Sequence, residues 1–530
     1  MLAILQFDSA SVALLERMLG AGRLPALAGL RERGAWHDLQ TPATHFAAGA
    51  FHTLYSGADI AEHGLFYPFQ WSAPDQRVRY MSAFEAPAPV WERLGALGTR
   101  TLAIDPYESR PPRRPPLGTL VSGWQLSDRV VLQRWSSPVG THERLQRLFG
   151  PPVAVEEVFG RHSAEELLAL RRRLLTAPGR VADAATLLLE EQAFDLAWLT
   201  FSAAHVAGHQ FWDLSQLDDL CRGRRSRPWC DGLDGDARRV LSGALEEIYE
   251  AVDAAFARVL AALPPDADVI AVSPVGMDVN TSRADLLPEM LDAVLRGDGA
   301  PAERVPEDAA GLPPAGAAPS SAGSIWRLRA ALPTGLRAKV AGALPDRVAL
   351  ALTARLELRG LDWASTRVFA HPADNQGYLR LNLRGREREG IVDPADAEAL
   401  MDEIAEGLLS FTDLDGTPAV KSVDRVWEAF GAGAHADRLP DLIVRWSDRP
   451  ATLLEGLRSP RFGDVRRRGR GSGRSGNHTD GDAWAIVAPG ASRAREPSRA
   501  PCLVDIAATA AGLAGADTAS MAGEPLLERG

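Results

Sequence analysis

The sequence predicts an α/β protein built on a mainly parallel central sheet sandwiched by helices, and three observations carry that expectation. Short apolar runs bounded by turn residues alternate with longer stretches of helical period, the pattern of strands joined by crossover helices. The chain is 530 residues long with 46% hydrophobic and 24% charged residues, enough to bury a large core. Its longest apolar runs, such as Leu196–Phe201 and Ala483–Pro489, fall far short of the roughly 20 residues that a membrane-crossing helix needs.

The elements follow in order. Leu2–Phe7 reads as a buried strand ending at Asp8, and Val12–Gly34 repeats Leu14, Leu15, Met18, Leu19, Leu24, Leu27 and Leu30 at helical spacing. Further strands are expected at Thr101–Ile104, Leu196–Phe201, Val269–Val272, Leu442–Trp446 and Trp484–Ala488. Residues 140–190 are rich in helix formers, including Ala164–Leu175, and are expected to form a helical cover inserted over the sheet. A second insertion, 281–360, carries an Ala/Pro/Gly-rich stretch at 297–323 that suits a flexible loop. The whole chain, 1–530, reads as a single domain with these two insertions.

Charge and composition remove several classes of function. With 58 basic and 69 acidic residues the formal charge is −11, which predicts no general attraction to nucleic acid or to an anionic membrane. The start at Met1 runs almost directly into the first strand without a secretory pattern, so a cytoplasmic location is expected. Cys221, Cys230 and Cys502 are too few and too irregularly spaced for a disulfide framework or a cysteine-based zinc site, and read as reduced thiols. No Gly-x-Gly-x-x-Gly follows the first strand, which argues against a dinucleotide cofactor.

Several phrases fall in one order along the chain: Asp8 after the first strand, Gly22-Arg23-Leu24-Pro25, His63-Gly64, Val121-Ser122-Gly123, Asp362-Trp363, Gly377-Tyr378-Leu379-Arg380-Leu381-Asn382, Gly385-Arg386, Leu439-Pro440-Asp441 and His478. On these the chain resembles the alkaline phosphatase superfamily, in its type I phosphodiesterase/nucleotide pyrophosphatase branch with the bacterial phosphohydrolase or phosphomutase proteins. The resemblance implies an alkaline-phosphatase-like sheet carrying two zinc-like ions at the carboxyl ends of its strands, with a Thr or Ser nucleophile at a helix start. It implies as ligands an Asp after the first strand, an Asp-x-x-x-His, an Asp-His before Gly, and a late His.

By that resemblance the chain looks like a divergent member. Asp8 and His478 stand in their places, and His209 fills the His of Asp-x-x-x-His, but His205 replaces its Asp. The Asp-His-Gly position falls on Pro274-Val275-Gly276, whose side chains cannot coordinate a cation, and the nucleophile position falls on Ala47. A local shift of register would bring Thr44, His45 or His52 toward the lost nucleophile, so His45 and His52 are carried with Asp8 as candidate catalytic residues. His63 reads as part of a structural turn, and Asp278 as a minor candidate for a displaced ligand.

The surviving donor set has a chemistry of its own. His205 and His209, spaced i and i+4, share one face of a helix, and His478 would complete a three-His site with Asp8 as a fourth ligand, an orienting partner or a general base. Three neutral imidazoles leave a divalent ion its full charge, a stronger Lewis acid than one bound through an Asp. One divalent ion is expected, zinc first, with iron or copper as alternatives. The leading expectation is a mononuclear metal-dependent hydrolase, phosphodiesterase-like, using metal-bound hydroxide without a covalent Thr intermediate; ordinary alkaline phosphatase activity is not expected. The alternatives are a three-His iron or copper enzyme that activates oxygen, and a non-catalytic ligand-binding pseudoenzyme. The expected partner is a small anionic molecule, which the arginines of Arg461–Arg474 would favour, with a homo-oligomer as an open assembly state.

Overall fold

A computed structural model of the protein describes residues 1–128, 130–154, 162–215, 233–297, 346–358, 360–373, 375–467, 474–519 and 521–530. Most of the 297–323 stretch, Cys221 and Cys230 lie outside the described residues. The chain divides into two compact units: residues 1–66, 85–280 and 474–530 form the first, and 67–84 with 281–473 the second.

The strands of the first unit used below are β1 (Leu2–Phe7), β2 (Ala35–Leu39), β3 (Thr101–Ile104), β4 (Gly118–Ser122), β5 (Trp135–Ser137), β6 (Leu196–Phe201), β7 (Asp268–Ser273), β8 (Met277–Val279), β9 (Gly476–His478) and β10 (Ala483–Ala488). Its eight-stranded sheet runs β2-β10-β7-β1-β6-β3-β4-β5. The central strands β7, β1, β6, β3 and β4 are parallel, while β10, β2 and β5 pair antiparallel at the edges. Every residue of β1, β6 and β7 is buried. Their predominantly apolar sequences, broken only by Gln6, Thr200, Asp268 and Ser273, are what parallel strands covered on both faces require.

Helices α1 (Val12–Gly20), α2 (Pro25–Arg33), α3 (Ala47–Ser56), α4 (Ala164–Glu191), α5 (Ala203–Phe211), α6 (Ala244–Ala262) and α7 (Val504–Leu513) pack into the same core. The single periodic run expected from Val12 to Gly34 is two helices. Gly22 adopts a left-handed φ of +69°, and Pro25 starts α2 at a position where its missing N–H costs nothing. The helix seen in sequence at Ala164–Leu175 continues to Glu191, opened by a reciprocal Ser163–Glu166 capping box.

In the second unit the strand expected at Leu442–Trp446 forms, but in a four-stranded antiparallel sheet with Val368–His371, Gly377–Leu381 and Val420–Arg425. Its polar centre is Glu387, which accepts hydrogen bonds from Trp71 Nε1 at 2.7 Å, Arg380 Nε at 2.9 Å and Arg386 Nε at 2.8 Å. Arg386 also pairs with Asp441 at 2.6 Å. The Gly377–Asn382 and Gly385-Arg386 phrases thus build a buried ion network that is structural. Arg461 and Arg467, from the arginine-rich stretch, are held by Glu406 and Asp285.

Candidate metal centre

Topology alone brings the site together. β1 and β6 are parallel neighbours with Phe7 opposite Phe201, so Asp8 and the start of α5 emerge side by side at the carboxyl end of the sheet. β10 runs antiparallel to β7 with Trp484 opposite Ser273, so the chain preceding β10 lies at that same end. There β9 pairs with β8, His478 opposite Met277. This is where open α/β sheets bind ligands.

His205, His209 and His478 converge, each offering one ring nitrogen within 4.8 Å of the others. Their ring centroids stand 4.9 Å, 4.8 Å and 5.1 Å apart, forming a nearly equilateral triangle. The approach of β9 to α5 is close because both carry glycine: a Cβ on Gly476 would lie 2.2 Å from the Gly208 carbonyl oxygen. His205 and His209 are fully buried, and His478 keeps some exposure. Phe51 of α3 lies parallel to the His205 ring, and Tyr107 packs 4.7 Å from it.

The outer nitrogens fix the proton positions. His205 Nδ1 is 3.0 Å from Asp8 Oδ2, and His209 Nδ1 is 2.9 Å from the Gly476 carbonyl oxygen. A carboxylate and a carbonyl only accept, so each neutral ring carries its proton on Nδ1 and a lone pair on Nε2. Yet the two Nε2 atoms face each other at 3.1 Å. Two lone pairs cannot bond to one another; a cation between them can satisfy both. Two nitrogens about 2.0–2.1 Å from a tetrahedral metal stand about 3.3–3.4 Å apart, close to the observed spacing. A proton donated from Nε2 of the Asp8-paired His205 to His209 is the other solution; burial and the charge of Arg474 hold His209 well below the ordinary imidazole range, so His209 is the acceptor in it.

His478 is held low as well, first by burial and then by His205 and Arg474. Its Nδ1 is buried with no hydrogen bond of ordinary geometry, although the Gly276 carbonyl lies near enough to act on its charge. Three converging imidazoles, two of them with their outer nitrogens committed to acceptors, are a donor set that fits a divalent metal.

Of the remaining sequence candidates, Asp8 touches this triangle. Asp8 is fully buried, touches the outer nitrogen of His205, and accepts from Ser9 Oγ at 3.1 Å. His52, on α3, points Nε2 at Glu108 Oε2 across 3.6 Å, and burial with the nearby Arg110 charge pushes its imidazole down to about 3. His45 follows the short helical turn Pro42–Thr44 and is half-buried. Among the described residues neither joins the three-histidine group. Ala47 opens α3, buried, and Val275 is fully buried while Pro274 offers only its carbonyl, to Thr41 Oγ1 at 2.9 Å. Asp278 turns its carboxylate to its own neighbouring Val279 N–H at 2.6 Å. His63 bonds Thr53 Oγ1 at 2.9 Å and accepts from Leu65 N–H at 3.0 Å, a structural turn.

Sequence reading missed Glu108 and Gln125. Glu108 lies in the loop after β3, where it and Asp105 both take left-handed φ angles of +55° and +53°. Through its side chain Gln125 bonds the backbone at Thr200 and Ser202, an arrangement with no residue pattern to betray it. The Val121-Ser122-Gly123 phrase marks the turn that delivers it, with Gly123 at φ +68°.

No protein-family model and no curated protein sequence matches the chain. Among solved structures it is similar to phosphonoacetate hydrolase from Sinorhizobium meliloti in complex with phosphonoacetate, at 14% identity and a TM-score of 0.49, over 97% of this chain and 95% of that one. It is also similar to murine ectonucleotide pyrophosphatase/phosphodiesterase 5 in complex with AMP, at 11% identity and a TM-score of 0.45, over 99% and 97%. The human counterpart stands at 10% identity and 0.45, over 99% of each chain.

Proposed function

We propose that the protein is a mononuclear metal-dependent hydrolase whose single divalent ion is held by His205, His209 and His478. The observation that carries the reading is the pair of Nε2 atoms facing each other at 3.1 Å while both Nδ1 atoms are committed to acceptors. When bound, an ion in such an all-imidazole set supplies a Lewis acid that polarises an ester oxygen and lowers the pKa of a coordinated water. Asp8 serves in this reading as the partner that orients His205 and offsets part of the positive charge. Ala47 supplies no nucleophile, so turnover proceeds without a covalent enzyme intermediate on that residue. The buried Arg474, close enough to depress both His209 and His478, adds positive charge and favours a small anionic substrate. His52, a neutral imidazole 3.6 Å from Glu108, is the group proposed to meet a polar part of the substrate.

Elemental analysis of the purified full-length protein, followed by zinc titration of the metal-stripped form, tests this. One equivalent is expected, lost in His205→Ala, His209→Ala and His478→Ala, with hydrolysis of phosphodiester, phosphonate or carboxylic ester probes lost in parallel. Undiminished metal content in all three variants overturns the reading. Metal-dependent oxygen consumption without hydrolysis of any probe would replace hydrolysis by the redox chemistry that the same imidazole set permits.

A further inference from the structure

The helix that carries two of the three histidines begins with an unsolved backbone problem. β6 pairs with β3 only as far as Leu199 opposite Ile104. Beyond that rung, on the β3 side, the Thr200 carbonyl and the Ser202 N–H have no strand neighbour. Ser202 caps α5 with φ −94° and ψ 5°, and its side chain makes no capping bond; its Oγ is buried without a hydrogen-bond partner. The usual device for fixing a helix start is therefore idle here.

Gln125 supplies what is missing. Its Nε2 donates to the Thr200 carbonyl at 2.6 Å, and its Oε1 accepts from the Ser202 N–H at 3.0 Å. One side-chain amide thus replaces a rung of β ladder at the point where the strand turns into the helix. Gln125 is itself fixed: Asp105 accepts from its backbone N–H at 2.6 Å and from that of Trp124 at 2.8 Å. Gln125, Asp105 and Ser202 are all fully buried. On the opposite side of β6 the Phe201 carbonyl accepts from Asp8 N–H at 3.2 Å. The turn into α5 is held between Gln125 and Asp8, and His205 leaves the helix in its first turn to meet Asp8 again through its side chain.

We infer that Gln125 is a positioning residue of the three-histidine centre, setting the place of α5 so that His205 and His209 present their nitrogens to one ion. This rests on the metal-binding reading given above. A shift of α5 by a few tenths of an ångström would alter both donor positions while leaving the rest of the sheet intact, and partners outside a ligand set commonly change metal affinity about 10–100-fold.

Cobalt(II) titration of the metal-stripped full-length protein, read by its visible absorption, tests the inference in wild type, Gln125→Leu and His209→Ala. Expected are tight binding with a defined ligand-field spectrum in wild type, at least about a tenfold loss of affinity with an altered spectrum in Gln125→Leu, and no such spectrum in His209→Ala. Thermal unfolding of the metal-stripped forms runs alongside. A purely structural Gln125 would lower the melting temperature yet leave cobalt affinity and spectrum of the folded protein unchanged, and that result overturns the inference. Absence of binding in wild type instead overturns the metal-binding reading itself. Should Gln125→Leu fail to fold, Gln125→Met takes its place; it keeps the length of the side chain and loses both the donor to Thr200 and the acceptor for Ser202, and wild-type cobalt affinity and spectrum in that variant overturn the inference equally.

Discussion

The Asp8 carboxylate lies 3.0 Å from Nδ1 of His205, on the far side of the imidazole from His209. Both groups are buried, so the contact sets which nitrogen carries the proton and how the ring is turned.

Asp8→Asn is expected to weaken zinc affinity about 10–100-fold while leaving the protein folded. Titration against a competing chelator reads this. A loss as complete as that of His205→Ala would make Asp8 a ligand in its own right.

Gly476→Ala places a methyl group 2.2 Å from a backbone oxygen, which cannot swing aside as a side chain would. Overpacking of this kind costs about 1–3 kcal/mol. Because the displaced strand carries His478, zinc affinity should fall together with stability, measured by titration and urea unfolding.

Asp105 gives a pH dependence with a definite sign. Burial pushes its carboxyl up to about 7, against the hydrogen bonds it accepts from Trp124 and Gln125. The unfolded value is about 3.9. Between the two the folded chain binds more protons than the unfolded one, so this group's contribution to stability is greatest below pH about 4, declines as pH rises toward 7, and is flat above. Urea midpoints from pH 5 to 8 should show that decline in wild type and a shallower one in Asp105→Asn.

Glu387→Ala in the second unit would strip Arg380 and Arg386 of a shared buried acceptor. Breaking such a pair from one side costs about 3–5 kcal/mol, because the remaining charge stays buried. Chemical unfolding followed by tryptophan fluorescence checks it; Trp71, one of 13 tryptophans, donates to the same carboxylate.

The parallel core was legible because β1, β6 and β7 are buried on both faces and therefore mostly apolar, and the i, i+4 spacing of His205 and His209 is a local property that survives folding. The break between α1 and α2 was present as Gly22 and Pro25 but masked by continuous apolar spacing across it. The antiparallel setting of Leu442–Trp446 could not be read, because strand polarity is decided by partners rather than by the strand's own residues. Glu108 and Gln125 act through contacts distant in the sequence, to His52 and to the backbone at Thr200 and Ser202, and nothing adjacent to them marks those partners.

The Gly476 carbonyl that steadies His209 is separated from it by 267 residues of chain, and the whole of 281–473 is threaded between the two. During synthesis α5 therefore exists with two histidines long before its third is made, and the loop that must close is costly in entropy. On the proposed reading, capture of an ion requires Ala203–Phe211 and Gly476–His478 to have met across that stretch, so metal content would report that these two distant segments of the first unit are docked on each other.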